Sequence, residues 1–406
     1  MKTYMFPGQG SQARGMGGTL FDEFEDLTRK ADKILGYSIK TLCLEDPNRE
    51  LGKTQFTQPA LYVVNALSYY KRIRDSDERP DFLAGHSLGE YNALLAAECF
   101  DFETGLKLVK KRGELMSQAT DGAMAAIVNV SRDKVEEVLR EKGLDQVDVA
   151  NYNTPQQIVI SGPAADIAAC QDIFTFDRAM YIPLNTSGAF HSRLMIPSSQ
   201  KFEAFLKKRK FDAPKIPVIA NLTAQAYPKG AVAEYLARQI HSTVLWGDTI
   251  QHLMSLSDAM EFVEVGHGDV LTKMIGKIRQ LAGKAAAAKA DAPKADAPKT
   301  DAAKSAPAEA KPAKSEPSKP EAAKAEPARP AAAAPTGAAS DRLAEARRKI
   351  DAWNAAHPVG TKARSSVSDY GDLVTRTPAT VLFGHRAAVY MQGYEGYFDL
   401  DEIEAV

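Results

Sequence analysis

Residues 84–95 read AGHSLGEYNALL and place Ser87 midway between Gly85 and Gly89. This G-x-S-x-G spacing is typical of a nucleophile elbow, a sharp turn that joins a strand to a helix and leaves its serine exposed. The preceding PDFLAG favours a short buried strand, and the following EYNALLAAECF has apolar residues at the spacing of one helical face. Because so abrupt a turn brings backbone segments together, only residues without a Cβ are expected to fit at the two glycine positions.

The Ser87 hydroxyl is expected to lie at the N-terminus of the helix. Unpaired backbone amides and the helix dipole favour developing negative charge at that end. The same stretch also fits an ordinary strand–turn–helix in which the serine caps the helix. The motif therefore indicates a nucleophile and leaves the capping interpretation open.

Composition limits the classes of function. The chain has 406 residues, 44% of them hydrophobic, and a formal net charge of -1; this length suggests roughly two to three domains. The basic residues form no patch interleaved with aromatic residues, so we expect no nucleic-acid partner. No stretch approaches the roughly 20 apolar residues of a membrane span, and the start MKTYMFPGQG lacks a secretion leader. We therefore expect a cytoplasmic protein without a membrane partner.

The cysteines give no sign of a metal site. Cys43, Cys99 and Cys170 are far apart and lack a paired spacing, which argues against a disulfide framework and against zinc. We expect them to be small core residues. We also expect neither a bound metal nor a bound cofactor.

The chain is expected to divide into a body, a linker and a small module. Apolar periodicity stops near residue 283, and residues 284–340 contain no Val, Ile, Leu, Met or aromatic residue. This Ala/Pro/Lys-rich segment cannot bury enough apolar surface to offset its ordering entropy, so we expect a disordered linker. Residues 341–406 begin with a helical pattern and continue with alternating β-branched and aromatic residues. That order predicts a helix followed by a small β-barrel-like module.

Residues 1–283 mix strand and helix patterns. Within them, residues 123–185 follow the order β-α-β-β-α-β of a ferredoxin-like subdomain. The flanking segments alternate strands and helices as in a doubly wound sheet. The sequence therefore predicts an α/β fold, an α/β-hydrolase-like doubly wound body into which a ferredoxin-like subdomain is inserted.

A nucleophilic serine needs a base, and GAFHSRLM offers His191 just after the predicted insertion. The chain re-enters the large body there, so His191 is expected to face Ser87 across the cleft between the two parts. No acid stands out as a third member, although a backbone carbonyl can also orient a histidine. The alternative is a purely structural histidine.

Three further residues bear on an acyl-enzyme intermediate. The backbone amide of Leu88 is well placed to stabilise an oxyanion, and the loop PGQGSQ could add the amide of Gln9. That loop lacks the G-K-[ST] ending of a phosphate loop. Arg112 falls on the buried face of the helix KLVKKRGELM, where an unpaired charge is costly. It is either half of a structural ion pair or a clamp for a substrate carboxylate.

Together these motifs resemble the malonyl-CoA:acyl carrier protein transacylases. The resemblance covers about residues 1–280, from FPGQGSQ through GHSLGEY, KKRGELM, GAMAAI, NTPQQIVISG and GAFHS to VEVGHGDVLT. It implies that Ser87 accepts the acyl group and that His191 is its general base and acid. It also implies that the amides of Gln9 and Leu88 form the oxyanion hole and that Arg112 binds the malonyl carboxylate.

The resemblance assigns two more residues. It implies that Gln239 holds His191 through its backbone carbonyl. It also implies that Phe190, in AFHS, takes the space of a branched acyl group and so favours malonyl over methylmalonyl extension. The implied substrate is malonyl-CoA, and the implied partner is an acyl carrier protein with a phosphopantetheine thiol.

Within the family, GHSLGEYNALL and FTQPALYVVN look more like the discrete acyltransferases of polyketide synthases than the fatty-acid enzyme. A start at MKTYMFPGQG, with no ketosynthase in front, fits an enzyme that acts in trans. The linker and the β module depart from the minimal family pattern. We expect the module to dock to a synthase or another partner, held near by the effective concentration that the linker provides. The solvated linker favours a monomer.

Two other functions stay open at this point. Some relatives use the same Ser–His pair as proofreading hydrolases that clear stalled acyl chains from carrier proteins. A buried arginine is a cost to an enzyme for uncharged chains, so Arg112 argues against that function. A non-catalytic carrier-binding scaffold would not need the serine, the histidine and the oxyanion elements together.

Overall fold

The computed structural model describes residues 1–176, 178–290, 337–365, 372–382, 386–392 and 397–405. The chain divides into two compact units, Met1–Ala292 and Pro293–Val406. Both strands and helices occur in the first unit, which confirms the mixed α/β class.

The first unit contains two sheets and the helices that cover them. Its strands are Lys2–Phe6 (β1), Phe82–Gly85 (β2), Gly122–Val128 (β3), Asp148–Thr154 (β4), Gln157–Pro163 (β5), Met180–Pro183 (β6), Val218–Ile219 (β7) and Glu261–Glu264 (β8). Its helices are Leu20–Glu23 (α1), Glu25–Leu35 (α2), Ile39–Leu44 (α3), Thr54–Asp75 (α4), Gly89–Ala96 (α5), Phe102–Met116 (α6), Arg132–Glu141 (α7), Ala164–Ile173 (α8), Ile196–Leu206 (α9), Val232–Gln239 (α10), Trp246–Leu256 (α11) and Val270–Ala290 (α12). Among the described residues, no helix is long and apolar enough to cross a membrane.

The first sheet is parallel and has the order β7-β2-β1-β8. Its central strand β1 is buried from Thr3 to Phe6, as expected for a parallel strand covered on both faces. Phe6 pairs with Gly85 at the carboxyl ends of β1 and β2. The glycine-rich loop after β1 and the turn that carries Ser87 therefore start side by side, at the edge where ligands bind in open α/β sheets.

The second sheet is antiparallel and has the order β4-β5-β3-β6. It follows the chain order β3-α7-β4-β5-α8-β6 and begins and ends within two residues of the predicted bounds 123–185. Its own hydrophobic cluster includes Ile127, Val135, Ile158 and Ile167, separate from the cluster under the parallel sheet. The sheet is thus a second layer with a core of its own.

Helix α5, which follows the serine, departs from its predicted pattern. The sequence predicts one apolar face, yet every residue of Gly89–Ala96 is buried, including Glu90 and Asn92. The reason is its position, because α5 contacts β1, β2, α4 and α6. No side of this helix faces solvent, so its polar residues need partners inside the protein.

The boundaries of the predicted linker also differ. Helix α12 continues to Ala290 instead of ending near residue 283, and the next described helix begins at Gly337, before the predicted position 341. Alanine and lysine in residues 284–290 are strong helix formers, so the end of the apolar pattern does not end the helix. The remainder of the predicted linker lies outside the described residues.

In its described residues, the second unit combines a long helix with short strands. Helix α13 spans Gly337–Ala356, and the strands are Lys362–Ser365 (β9), Leu373–Val374 (β10), Thr380–Leu382 (β11), Arg386–Tyr390 (β12), Tyr397–Asp399 (β13) and Ile403–Ala405 (β14). They form two antiparallel sheets, β10-β9-β14 and β11-β12-β13, joined by an isolated bridge between Thr375 and Met391. Ala346 and Ile350 of α13 share a buried cluster with residues of both sheets. The helix therefore completes the core of this small unit.

Candidate active site

Ser87 occupies a strained turn between β2 and α5. Its φ is 49°, a left-handed conformation that non-glycine residues rarely adopt. Two side chains hold the turn through the serine backbone. The amide N–H of Ser87 donates to Asn221 Oδ1 (2.7 Å), and its carbonyl accepts from Gln239 Nε2 (2.8 Å). These two hydrogen bonds engage the backbone of Ser87 and not its hydroxyl.

The glycines on either side of Ser87 have no room for a side chain. A Cβ on Gly85 would lie 2.0 Å from the carbonyl carbon of Gly89, and a Cβ on Gly89 would lie 2.0 Å from the backbone oxygen of Phe6. These distances are far below contact distance and involve backbone atoms only. The expectation that both positions exclude a Cβ is confirmed.

His191 lies against the serine. The Ser87 hydroxyl and His191 Nε2 are 2.8 Å apart, while His191 Nδ1 lies 2.9 Å from the carbonyl of Gln239 and 3.2 Å from that of Ser242. Because both neighbours of Nδ1 are acceptors, the proton of a neutral imidazole resides on Nδ1, and Nε2 accepts from Ser87. Burial, with the positive charge of Arg112, lowers the pKa of His191 to about 3. A neutral histidine therefore faces the serine hydroxyl near neutral pH.

Arg112 reaches the same hydroxyl from α6. Its side chain is 1% exposed, and Nη2 donates to Ser87 Oγ (3.0 Å) and to Gln239 Oε1 (3.1 Å). Its guanidinium carbon also lies 5.6 Å from the centre of the Tyr91 ring. Burial lowers the pKa of Arg112, yet arginine stays protonated in proteins. The site thus places a positive charge beside the serine, and no carboxylate of the described residues is in direct contact with it.

The backbone amides of Gln9 and Leu88 lie in the two loops that start side by side. A Cβ on Gly8 would lie 2.3 Å from the carbonyl oxygen of His86 and 3.5 Å from the amide nitrogen of Leu88. The loop after β1 therefore packs on the turn that carries Ser87. Among the described residues, neither the Gln9 nor the Leu88 amide donates a hydrogen bond to another protein group.

The structure also places the neighbours of the two central residues. Phe190, next to His191, is buried in the main hydrophobic cluster. His86, next to Ser87, faces away from the serine: its Nε2 lies 2.8 Å from Asn153 Oδ1, and its ring meets the edge of Trp246. The predicted set of Ser87, His191, Arg112 and Gln239 is therefore brought together, and His86 lies outside it.

Sequence reasoning missed three residues of this site. Glu90 is 1% exposed and accepts hydrogen bonds from the Tyr227 hydroxyl, from Gln239 Nε2 and from the backbone amide of Asn221. Asn221 in turn holds the Ser87 amide. The available sign was Glu90 itself, a carboxylate three residues after the serine in a stretch with few other polar residues.

A cavity of about 600 Å³ opens beside His191. Its lining comes from the second layer, including Arg132, Arg140 and Val149, and from the segment 241–243 of the main body. His191 is part of the wall, so the cavity leads from the surface to the candidate base. This is the expected position between the two layers of the first unit. Among the described residues, no cluster of three or more His, Cys, Asp or Glu side chains could hold a metal ion.

Comparison with known proteins places this chain in a defined family. The profile of the family described as "Acyl transferase domain" matches residues 3–307. The chain is 56% identical over 281 residues to the polyketide biosynthesis malonyl CoA-acyl carrier protein transacylase BaeC of Bacillus velezensis, covering 69% of this chain and 97% of that protein. The corresponding transacylase PksC of Bacillus subtilis is 56% identical over 282 residues, 69% of this chain and 98% of that protein.

Solved structures show the same similarity. A crystal structure of a malonyl CoA-acyl carrier protein transacylase from Burkholderia pseudomallei is 60% identical, with a TM-score of 0.68, and covers 69% of this chain and 98% of that chain. A type II polyketide synthase acyl carrier protein in complex with its malonyl-transacylase gives a match at 32% identity and a TM-score of 0.65, over 69% of this chain and 93% of that chain.

Proposed function

This chain belongs to the acyl transferase domain family, and on that premise we propose that it transfers a malonyl group from malonyl-CoA to the phosphopantetheine thiol of an acyl carrier protein. The observation that carries the proposal is the pair of contacts at one hydroxyl. Ser87 Oγ lies 2.8 Å from His191 Nε2 and 3.0 Å from Arg112 Nη2. A base and a cation at the nucleophile suit an acyl donor that carries its own carboxylate.

The first half-reaction loads the serine. His191 Nε2 takes the Ser87 proton as Oγ attacks the thioester carbonyl carbon of malonyl-CoA. The C–S bond then breaks, and the coenzyme A sulfur leaves with the proton from His191. In the second half-reaction the carrier thiol gives its proton to His191 as its sulfur attacks the malonyl ester carbonyl carbon. The C–O bond to Ser87 then breaks, and Oγ leaves with the proton from His191. Each half-reaction ends with a neutral histidine, the form that its low pKa favours.

The negative charge of each tetrahedral intermediate needs donors. The amides of Gln9 and Leu88 support that role, because they come from two packed loops and have no other acceptor in the described part of the protein. The Gln239 carbonyl supports the orientation of His191, since it accepts from Nδ1 and so directs Nε2 to the serine. The Gln239 carbonyl thus takes the orienting role that a third catalytic acid has in other serine enzymes.

Arg112 supports the choice of malonyl as the acyl group. Its guanidinium is buried and has no direct carboxylate partner in the described part of the chain, a costly state that a substrate carboxylate would relieve. This argues against the hydrolase alternative, whose uncharged chains would leave the guanidinium unpaired. Phe190, buried beside His191, supports selection of malonyl over branched analogues because it fills space near the acyl site.

The wider setting is also a proposal. We place the enzyme in polyketide biosynthesis, acting in trans in the cytoplasm as a monomer, with malonyl-CoA as substrate and no bound cofactor. The chain order of the two layers supports describing the first unit as an α/β-hydrolase-like body with a ferredoxin-like subdomain. The second unit, with its own core, would dock to the synthase or another partner.

Intact-mass measurement tests the proposed function. The purified chain is mixed with malonyl-CoA and then with an acyl carrier protein that bears phosphopantetheine. We expect a malonyl adduct that maps to Ser87 and then moves to the carrier. The variant Ser87→Ala, which changes only the nucleophile, should form no adduct.

The same measurement distinguishes the alternatives. An adduct that decays to free malonate in the presence of the carrier, without transfer, would favour the hydrolase. An adduct with acetyl-CoA and none with malonyl-CoA would contradict the role of Arg112. No adduct from any acyl-CoA would refute catalysis by Ser87.

A further inference from the structure

Glu90 is a buried carboxylate that the acyl-transfer steps do not use. Three donors surround it: the Tyr227 hydroxyl at 2.5 Å and the Asn221 amide at 3.3 Å on Oε1, and Gln239 Nε2 on Oε2. It touches neither Ser87 Oγ nor His191 among the hydrogen bonds of the described residues. Its position under the turn nevertheless connects it to both, through Asn221 and Gln239.

Gln239 is the residue through which Glu90 reaches the acyl site. Its Nε2 donates to Glu90 and to the carbonyl of Ser87, while its Oε1 accepts from Arg112 Nη2 at 3.1 Å. Its backbone carbonyl faces His191 Nδ1. One side chain thus links the carboxylate on one side to the guanidinium on the other, and its amide has a donor end and an acceptor end.

The direction of this amide depends on Glu90. A carboxylate only accepts hydrogen bonds, so the amide nitrogen must face it and the amide oxygen must face Arg112. In the reversed orientation the amide oxygen would face the oxygens of Glu90 and Ser87, and the NH2 group would face the guanidinium. Both contacts would be repulsive in a site from which water is excluded.

We propose that Glu90 is a positioning residue of the malonyl site, because its carboxylate fixes the orientation of the Gln239 amide and this amide holds Arg112 where a substrate carboxylate is received. The inference rests on the proposed function. In this arrangement Glu90 is the countercharge of the buried Arg112 guanidinium, and the Gln239 amide lies between the two groups. Arg112 keeps its charge and has no direct carboxylate partner among the residues that the structure describes, so a malonyl group can take that place.

The ionisation of Glu90 provides an independent readout. Burial raises its pKa to about 7, opposed by the hydrogen bonds from Tyr227, Gln239 and Asn221 and by the charge of Arg112. The charged and titratable groups that face it are Arg112 from α6, Tyr227 from the loop after β7 and Tyr91 of its own helix. Below pH 7 the carboxyl group gains a proton and becomes a donor, so the constraint on the amide weakens.

The test compares two acyl donors in three variants. Malonyl-CoA carries a carboxylate and 4-nitrophenyl acetate does not, and the rate of Ser87 adduct formation is read by mass for each. Glu90→Gln replaces the acceptor by an amide, and Glu90→Asp keeps the charge. Glu98→Gln is the control, since Glu98 is exposed and pairs with Lys215 on the surface.

In Glu90→Gln we expect malonylation to slow by roughly tenfold or more, with a much smaller change in acetylation. Glu90→Asp should retain most of the preference for malonyl, and Glu98→Gln should match the wild type. Equal losses with both donors would show a merely structural role and overturn the inference. Unchanged malonylation in Glu90→Gln would overturn it as well.

The wild-type protein gives a test that needs no folded variant. The ratio of malonylation to acetylation should fall as the pH is lowered from about 8 to 6, through the pKa of about 7 that burial gives Glu90. A constant ratio would contradict the inference. Failure of the proposed function is distinct from either result, because wild-type protein would then form no malonyl adduct at any pH.

Discussion

At the scale of single residues, Arg112 is the side chain that we propose selects the acyl group. It brings a positive charge into a site with 1% exposure and contacts Ser87 Oγ and Gln239 Oε1. The carboxylate of Glu90 is linked to Arg112 through the side-chain amide of Gln239. The same isolation that makes the arginine costly in the free protein makes a substrate carboxylate a favourable partner.

Replacement of Arg112 by alanine should reduce kcat/KM for malonyl-CoA by an amount on the order of a few kcal/mol in transition-state binding, as for a lost bidentate pair. Arg112→Lys keeps the charge but lacks the planar pair of donors, so its kcat/KM should lie between those of the wild type and Arg112→Ala. Steady-state kinetics with malonyl-CoA give the answer, and Arg29→Ala, on the surface beside Asp26, is the control. Wild-type rates in Arg112→Ala would exclude a clamp at this position.

Two buried groups of the site should oppose each other in the pH dependence of stability. In the folded protein the pKa of His191 is lowered to about 3. Its contribution to the free energy of unfolding is therefore fully present above about pH 6.5 and is lost as the pH falls through 3. In the folded protein the pKa of Glu90 is raised to about 7. Its contribution to the free energy of unfolding is therefore fully present below about pH 4.3 and is lost as the pH rises through 7. Between these limits the two effects offset each other.

Single variants should therefore reveal opposite slopes. In Glu90→Gln, the free energy of unfolding should rise relative to wild type as the pH increases from about 4 to 6.5, by about 1 kcal/mol per pH unit. In His191→Ala it should fall over the same interval by a similar amount. Urea unfolding at several pH values measures both, and parallel curves for the three proteins would contradict the assigned ionisation states.

At the scale of elements, the strand–turn–helix β2-Ser87-α5 depends on close backbone contact. A Cβ at Gly89 would lie 2.0 Å from the backbone oxygen of Phe6 in β1. The strand cannot move away without breaking its pairing with β2 and β8. The glycine is thus required by the approach of α5 to the sheet, and the strained φ of Ser87 is maintained by the same packing.

Gly89→Ala should lower the free energy of unfolding by roughly 1–3 kcal/mol, the range for overpacking, and should reduce adduct formation at Ser87. Gly276→Ala provides the matched control, because Gly276 lies in helix α12 with no atom within 4 Å of the added Cβ. There alanine should stabilise by about 0.5–1 kcal/mol. Thermal melts of both variants measure these changes in stability. A Gly89→Ala variant as stable as the wild type would contradict the close packing at the turn.

At the scale of the whole molecule, the two compact units have separate cores. The candidate site lies entirely in Met1–Ala292, and the family profile matches residues 3–307. Malonylation of Ser87 should therefore depend on the first unit alone. Delivery to a particular carrier is the step in which the second unit can take part, through effective concentration.

A chain that ends at Ala292 should form the malonyl adduct at the wild-type rate and transfer it more slowly to its cognate carrier, by a factor of up to ~100. A carrier protein from an unrelated synthase should be loaded equally well by both chains, which controls for damage to the first unit. Single-turnover transfer from the loaded enzyme measures the difference. Equal transfer to every cognate carrier would remove the docking role of the second unit.

Features that depend on spacing along the chain could be predicted from the residues alone. The glycines beside Ser87, the order of strands and helices in residues 123–185 and the motifs around His191 are local patterns, and short-range sterics and periodicity make them readable. Helix boundaries were harder to predict from the sequence. Helix α12 continues to Ala290, because alanine and lysine continue a helix after its apolar face has ended.

The contacts that hold the site together depend on tertiary packing and could not be predicted in this way. Asn221, Tyr227 and Gln239 lie more than 130 residues from Glu90, and their hydrogen bonds to it form only when α10 and the loop after β7 pack on α5. No local pattern marks such partners. The burial of α5 on all sides has the same origin, because a helix enclosed by a sheet and two other helices must pair its polar groups inside the protein. The chain order thus specified the reactive residues, and long-range packing specified the network that orients them.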